Sequence, residues 1–186
     1  MRPSTESSAD KSSALQIELA QELDVDELEE LVNLAYRGGK ASVSWKNEHH
    51  LVQGPRISKA DLKHYISEKD SAIYLCRNES RRILGAVHIE KHADQAHIGM
   101  LSVDPDYQNY GIGKKLLLFA GDFAREKLNC REAKMFVFAG REELLAWYQK
   151  MGYEATGETM PFFGPESGLR ALVENAHFVV VRKNLA

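Results

Sequence analysis

Residues 101–128, LSVDPDYQNYGIGKKLLLFAGDFAREKL, hold the residue types and spacings from which chemistry follows most directly. Gly111 and Gly113 stand where the chain must turn tightly and come close to a partner, and Lys114 and Lys115 follow at once. A helix that starts here aims unpaired N–H groups and the positive end of its dipole back at the loop, which makes an anion site. The spacing predicts a phosphate held by backbone amides at a strand-to-helix turn. It is not a P-loop, which needs four residues between its first Gly and a following Gly-Lys-Ser/Thr. Nor is it a dinucleotide fingerprint, because Leu116 stands where the third Gly would be. A Gly-x-Gly before a helix also occurs as a simple tight turn, so its meaning rests on the rest of the chain.

Other reactive residue types are less telling. His49 and His50 invite a metal reading, but adjacent histidines on a strand point apart and no third ligand stands at a useful spacing. No metal is expected. Cys76 and Cys130 lack metal-type spacing and read as small buried hydrophobes in a reduced, cytoplasmic protein.

Two motifs, in order, resemble one family. Gln108-Asn109-Tyr110-Gly111-Ile112-Gly113 matches the Gln/Arg-x-x-Gly-x-Gly/Ala signature of the GCN5-related N-acetyltransferase (GNAT) superfamily. Downstream, Tyr148-Gln149-Lys150-Met151-Gly152-Tyr153 is similar to its Tyr-x-x-x-Gly-Phe/Tyr motif. Trp45, Glu48, Leu51, Gly54 and Arg56 also keep the offsets of an uncharacterised, bacterial-type subgroup. The resemblance implies acetyl-CoA as co-substrate and direct transfer to an amine. The pyrophosphate would rest on N–H groups of Gln108, Asn109, Tyr110, Gly111, Ile112 and Gly113, with charge from Lys114 and Lys115. The pantetheine arm would run along Leu101, Ser102 and Val103. Gln108 stands where many members have Arg, and Arg141 where many have an Asn that bonds the cofactor, so both contacts depart from the pattern.

The same resemblance places Tyr148 where the family protonates the CoA sulfur. For the base, His97 lies eleven residues before Gln108, where the histone-acetylating branch has a glutamate. Strand alternation sets His97 on one face with Gly99, Leu101 and Val103, and Leu84, Ala86, His88 and Glu90 on one face of the neighbouring strand. Glu90, Glu48 and His88 are therefore rivals for the base. Trp45, Glu48 and Arg56 would wall an acceptor site, Arg56 clamping a carboxylate, and residues 160–168 with Phe162 would lid it. A small amine or amino-acid-like acceptor is expected. The alternatives are a peptide or protein N-terminus, or a CoA-binding module without turnover. Members of the family often pair, so a homodimer is an open expectation.

These residues need a scaffold. Alternation predicts strands over 14–22, 72–77, 82–91, 95–103, 132–139, 153–158 and 176–182. Helical periodicity predicts helices from Asp24 to about Arg37, from Ser58 to about Ser67, from Ile112 onward, and over 141–151. The expected class is α/β (α+β), a mixed, mostly antiparallel sheet of about seven strands flanked by about four helices. With 186 residues, the chain suits one domain over 14–186 behind a Ser-rich flexible tail, 1–13. A net charge of −3 argues against general nucleic-acid binding, and no apolar run is long enough to cross a membrane.

Overall fold

The computed structural model describes residues 15–38, 48–162 and 168–186. The expected tail, Trp45, and residues 163–167 of the expected lid lie outside the described residues. In chain order the elements are β1 (Gln16–Leu19), α1 (Val25–Arg37), β2 (Val52–Gln53), α2 (Lys59–Ser67), β3 (Ser71–Arg77), β4 (Ile83–His92) and β5 (Gln95–Val103). Then follow α3 (Ile112–Glu126), β6 (Glu132–Phe138), α4 (Glu142–Lys150), β7 (Glu154–Pro161), β8 (Arg170–Ala171) and β9 (His177–Asn184).

Seven strands form one sheet in the order β1-β3-β4-β5-β6-β9-β7. Its neighbours are antiparallel except β5 and β6, which run parallel. The expected mixed sheet and four helices are therefore the fold. On one face Leu84, Val87, Ile98, Leu101 and Val103 pack with Ile112, Leu116 and Ala120 of α3 and with Leu144 and Tyr148 of α4. On the other, Leu28 and Val32 of α1 and Leu62 of α2 cover Ile73, Ala86 and Met100.

Local chemistry sets the helix starts. Ser58 Oγ accepts from the Asp61 N–H while the Asp61 carboxylate accepts from the Ser58 N–H, a reciprocal cap for α2. Asp24 occupies the expected cap position of α1, but its carboxylate is turned back to the Gln21 N–H and to Arg77.

Four departures matter. First, β5 carries an extra residue: His88 pairs Gly99 and Ala86 pairs Ser102, so two steps on β4 face three on β5. Met100 takes φ of 50° there, a β-bulge that shifts the alternation by one. His97 therefore does not share a face with Leu101 and Val103, which join the α3 core; it lies with Gly99 on the side where Met100 packs. Second, a register shift at Arg77 leaves Leu84 as the extra residue of β4, and it packs on the α3 side rather than with Ala86, His88 and Glu90. Third, β7 runs to Pro161, so Met160 and Pro161 belong to a strand, not a loop. Fourth, residues 48–56, for which no strand is predicted, contain β2, which pairs with β8 as a two-stranded sheet.

Candidate active site

The parallel pairing of β5 and β6 stops at His97–Lys134. Beyond it the strands part, and a cavity of about 340 Å³ opens between Ile98–Leu101 on one side and Met135–Phe138 on the other. The bulge supplies the physical reason: β5 turns away from β6 while keeping its bonds to β4. Gly99 lies at the opening, and a Cβ built there would touch nothing within 4 Å, so β5 contributes empty space.

The wall on the α1 side is built by a short set of bonds. The Asn33 carboxamide accepts from the N–H groups of Arg56 and Ile57 and donates to the Ile57 carbonyl. Arg37 donates to the Gly54 carbonyl at 2.7 Å and to Glu48 at 3.1 Å. The Glu48 N–H donates to the Tyr36 carbonyl. Residues 48–57 are thereby laid along α1, with Arg56 and Glu48 facing the cavity.

Arg56 stacks over the Tyr36 ring at 5.0 Å, and its side chain has no hydrogen bond or ion pair among the described residues. Glu48 is in the opposite condition: Arg37 at 3.1 Å and Arg141 at 3.6 Å hold its two oxygens. Arg141 is buried, with Glu143 on its Nε at 2.7 Å, and it lines neither the cavity nor the glycine loop. Phe162 lines the cavity and packs edge-on to Phe138 at 5.7 Å.

Tyr148 enters from the opposite side. Gly152 takes φ of 87° and ends α4, which lets the Tyr153 N–H bond the Tyr148 carbonyl at 3.0 Å. That geometry is what the Tyr-x-x-x-Gly-Tyr spacing encodes. Tyr148 is 5% exposed and lines the cavity, with no hydrogen bond to its hydroxyl among the described residues. Burial holds its pKa well above the usual phenol value, so the hydroxyl keeps its proton.

The glycine loop lies at the α3 N-terminus. Gly111 is left-handed at φ 77°, as is Asn109 at 70°, and the turn leaves the first N–H groups of α3 without helical partners. Val103, Gln108, Asn109, Gly111, Gly113, Lys114 and Trp147 line a small pocket there of about 120 Å³. Ile112 also lines it but buries its side chain against Gly85. Tyr110 packs near Tyr107 at 6.2 Å. Lys114 is exposed, whereas Lys115 donates to the Leu15 carbonyl at 2.7 Å. Ser102 is fully buried, its hydroxyl bonded to the Met100 carbonyl, and the Leu101 carbonyl accepts from the Tyr36 hydroxyl at 3.3 Å.

Of the four candidate bases, Glu48 belongs to the α1 side, whereas His88 and Glu90 of β4 and His97 of β5 stand on two paired strands. His97 pairs Glu90 across the strands and lies edge-on to Phe136 at 4.1 Å. Its Nε2 is buried without a hydrogen-bond partner among the described residues, and burial pushes its pKa down to about 4. Glu90, which also lines the cavity, contacts His92 at 3.4 Å. Donor atoms of Glu90, His92 and His97 lie within 4.8 Å of one another, but the Lys134 charge acts on His97 from the adjoining strand, and we assign no metal to them. His88 is 8% exposed and stacks on Tyr65 at 4.3 Å. Burial likewise pushes it down to about 4.

Sequence reasoning missed Tyr36, Tyr65, Trp147 and Phe178 as parts of these walls, and Ser71 as the partner of His88. Trp147 and Phe178 adjoin or extend segments already singled out. Tyr36, Tyr65 and Ser71 carry no local signal, because each meets the site across a tertiary contact.

The model of the acetyltransferase (GNAT) family matches residues 27–153, more than half of the chain. The chain belongs to this family and is a GNAT-type acetyltransferase. No curated protein matches it in sequence. Solved structures share the fold. A variant of the spermidine N-acetyltransferase SpeG from Vibrio cholerae is 15% identical, with 93% of this chain and 95% of that chain covered at a TM-score of 0.67. A proposed phosphinothricin N-acetyltransferase is 18% identical over 92% and 99%, at 0.65. An acetyltransferase of the GNAT family from Staphylococcus aureus Mu50 is 17% identical over 93% and 100%, at 0.65. Among the described residues no helix is long and apolar enough to cross a membrane.

Proposed function

We propose that the protein transfers an acetyl group from acetyl-CoA to the primary amine of a small, carboxylate-bearing acceptor. The observation that carries this reading is the parting of β5 and β6 beside Tyr148, with Arg56 facing the same cavity. The thioester would enter the gap from the α3 side, its pyrophosphate on the N–H groups around Gly111 and Gly113. Tyr148, protonated and with no hydrogen bond to its hydroxyl among the described residues, would give its proton to the departing sulfur.

The charges favour a carboxylate over a second amine. Structures of one spermidine N-acetyltransferase, SpeG from Vibrio cholerae, stand among the structural relatives, and a polyamine needs anionic groups to receive its cations. Here Glu48 is already held by two arginines, while Arg56 has its donors open toward the cavity. A planar guanidinium suits a carboxylate in two-point contact. The test is acetyl-CoA-dependent thiol release over a panel of L-amino acids, spermidine and their decarboxylated analogues. Release with carboxylated amines and not with spermidine is expected. The reverse order would overturn the assignment of the acceptor.

A further inference from the structure

The cavity's α2 side contains one hydrogen-bond chain that decides the state of a histidine. Ser71 Oγ lies 2.8 Å from the Tyr65 carbonyl oxygen and 2.7 Å from His88 Nε2. A hydroxyl has one proton to give, and a carbonyl oxygen only accepts. The Ser71 proton must therefore lie toward Tyr65, and Ser71 can only accept from His88. This requires Nε2 to carry the proton and leaves Nδ1 as a bare lone pair. The Tyr65 ring, stacked at 4.3 Å and inclined by 23°, holds the imidazole plane. His88 lines the cavity and is paired directly with Gly99, two residues past the last β5–β6 pair and the one that leaves open space.

We infer that His88, fixed by Ser71 in its Nε2–H tautomer, accepts the acceptor amine's proton at Nδ1 during acetyl transfer. This rests on the acetyltransferase reading given above. As the amine nitrogen bonds the thioester carbon, one N–H proton passes to His88. The C–S bond then breaks, and the sulfur takes a proton from Tyr148. The resulting imidazolium and phenolate restore each other by returning that proton, so amine and thioester become amide and thiol with nothing left over. The groups acting on His88 are Glu90 on its own strand, which favours the charged form, and His97, Arg56 and His92, which oppose it. Together with burial they keep the lone pair free at neutral pH. His97 lacks these features: its Nε2 is buried with no hydrogen-bond partner among the described residues.

Two measurements on the full chain test this. The first is ¹⁵N NMR of histidine-labelled protein, where the His88 signals should show a protonated Nε2 and a bare Nδ1, with Ser71→Ala mixing the tautomers. A protonated Nδ1 in the wild type would overturn the inference. The second is thiol release from acetyl-CoA with the amino-acid panel. His88→Ala should lower kcat by about 100-fold or more, with acetyl-CoA still protecting it from heat, and added imidazole should restore part of the rate. Ser71→Ala should lower kcat more than it changes acceptor KM. An active wild type alongside an equally active His88→Ala variant would sink this inference alone. A wild type that releases no thiol with any acceptor and gains no heat protection would sink the acetyltransferase reading, and this inference with it.

Discussion

Arg56 and Glu48 show how two charged side chains serve different ends within one cavity. Glu48 lies between Arg37 and Arg141 and ties residues 48–57 to α1. Arg56 is placed by its backbone, through Asn33, and its guanidinium lies over the Tyr36 ring beside the cavity. Removing it should weaken acceptor binding without touching the chemistry. Arg56→Ala is expected to raise acceptor KM by about 10- to 100-fold, the worth of a charge-assisted contact of about 1.5–3 kcal/mol, with kcat nearly unchanged. Arg56→Lys should restore little, since a single ammonium cannot replace the planar fork. Steady-state kinetics on the responsive acceptor checks both, and an unchanged KM in Arg56→Ala would remove the carboxylate clamp. His97 gives a contrasting case. Its Nε2 is a buried polar atom without a hydrogen-bond partner among the described residues, so His97→Leu should leave stability at neutral pH equal or higher, as denaturant melts would show.

At the scale of elements, the glycine loop and the end of α4 were legible because backbone geometry dictates their residues. Gly111 must be left-handed to start α3, and Gly152 must be left-handed to close α4 onto Tyr153. Such positions announce themselves by residue type and spacing. The bulge at Met100 does not, since one extra residue between two apolar neighbours leaves the pattern of types almost unchanged. That is why alternation put His97 on the wrong face. The pairing of β2 with β8 was equally silent: two residues on each side, far apart in sequence, contribute too little periodicity to read. Gly85 supplies a test of how α3 is seated. A Cβ there would lie 2.8 Å from Ile112 Cγ2, 2.9 Å from Leu116 Cδ1 and 2.9 Å from the Ser102 carbonyl oxygen. Gly85→Ala should therefore cost about 1–3 kcal/mol in urea unfolding, because the backbone contact cannot yield as a side chain can. It should also weaken acetyl-CoA binding by tilting the N-terminus of α3. A fully stable Gly85→Ala would mean that α3 packs less closely than the structure has it.

For the molecule as a whole, the sheet is a frame with one deliberate gap, and both faces contribute to it. The α3 side supplies the loop and Tyr148; the α1 and α2 side supplies Arg56 and His88. Enclosing the histidines has a consequence for stability. His88 and His97 sit at about 4 in the fold against an ordinary value of 6.5, so the folded chain binds fewer protons than the unfolded one between those limits. Their burial is harmless above pH 6.5, and stability is lost as pH falls from there through about 4. For the deeply buried His88 this amounts to about 3 kcal/mol at most. Thermal melts across that window should show the decline, with a shallower slope in His97→Leu. A flat profile from pH 6.5 to 4 would mean that both rings meet water.

The central claim is that the gap beside Tyr148 is where acetyl transfer occurs. Its most direct test compares wild type with Tyr148→Phe for acetyl-CoA-dependent thiol release in the presence of a responsive carboxylated amine, with acetyl-CoA affinity measured alongside. The account predicts that Tyr148→Phe binds acetyl-CoA as the wild type does and loses about 100-fold or more in kcat. Full activity in Tyr148→Phe would contradict it.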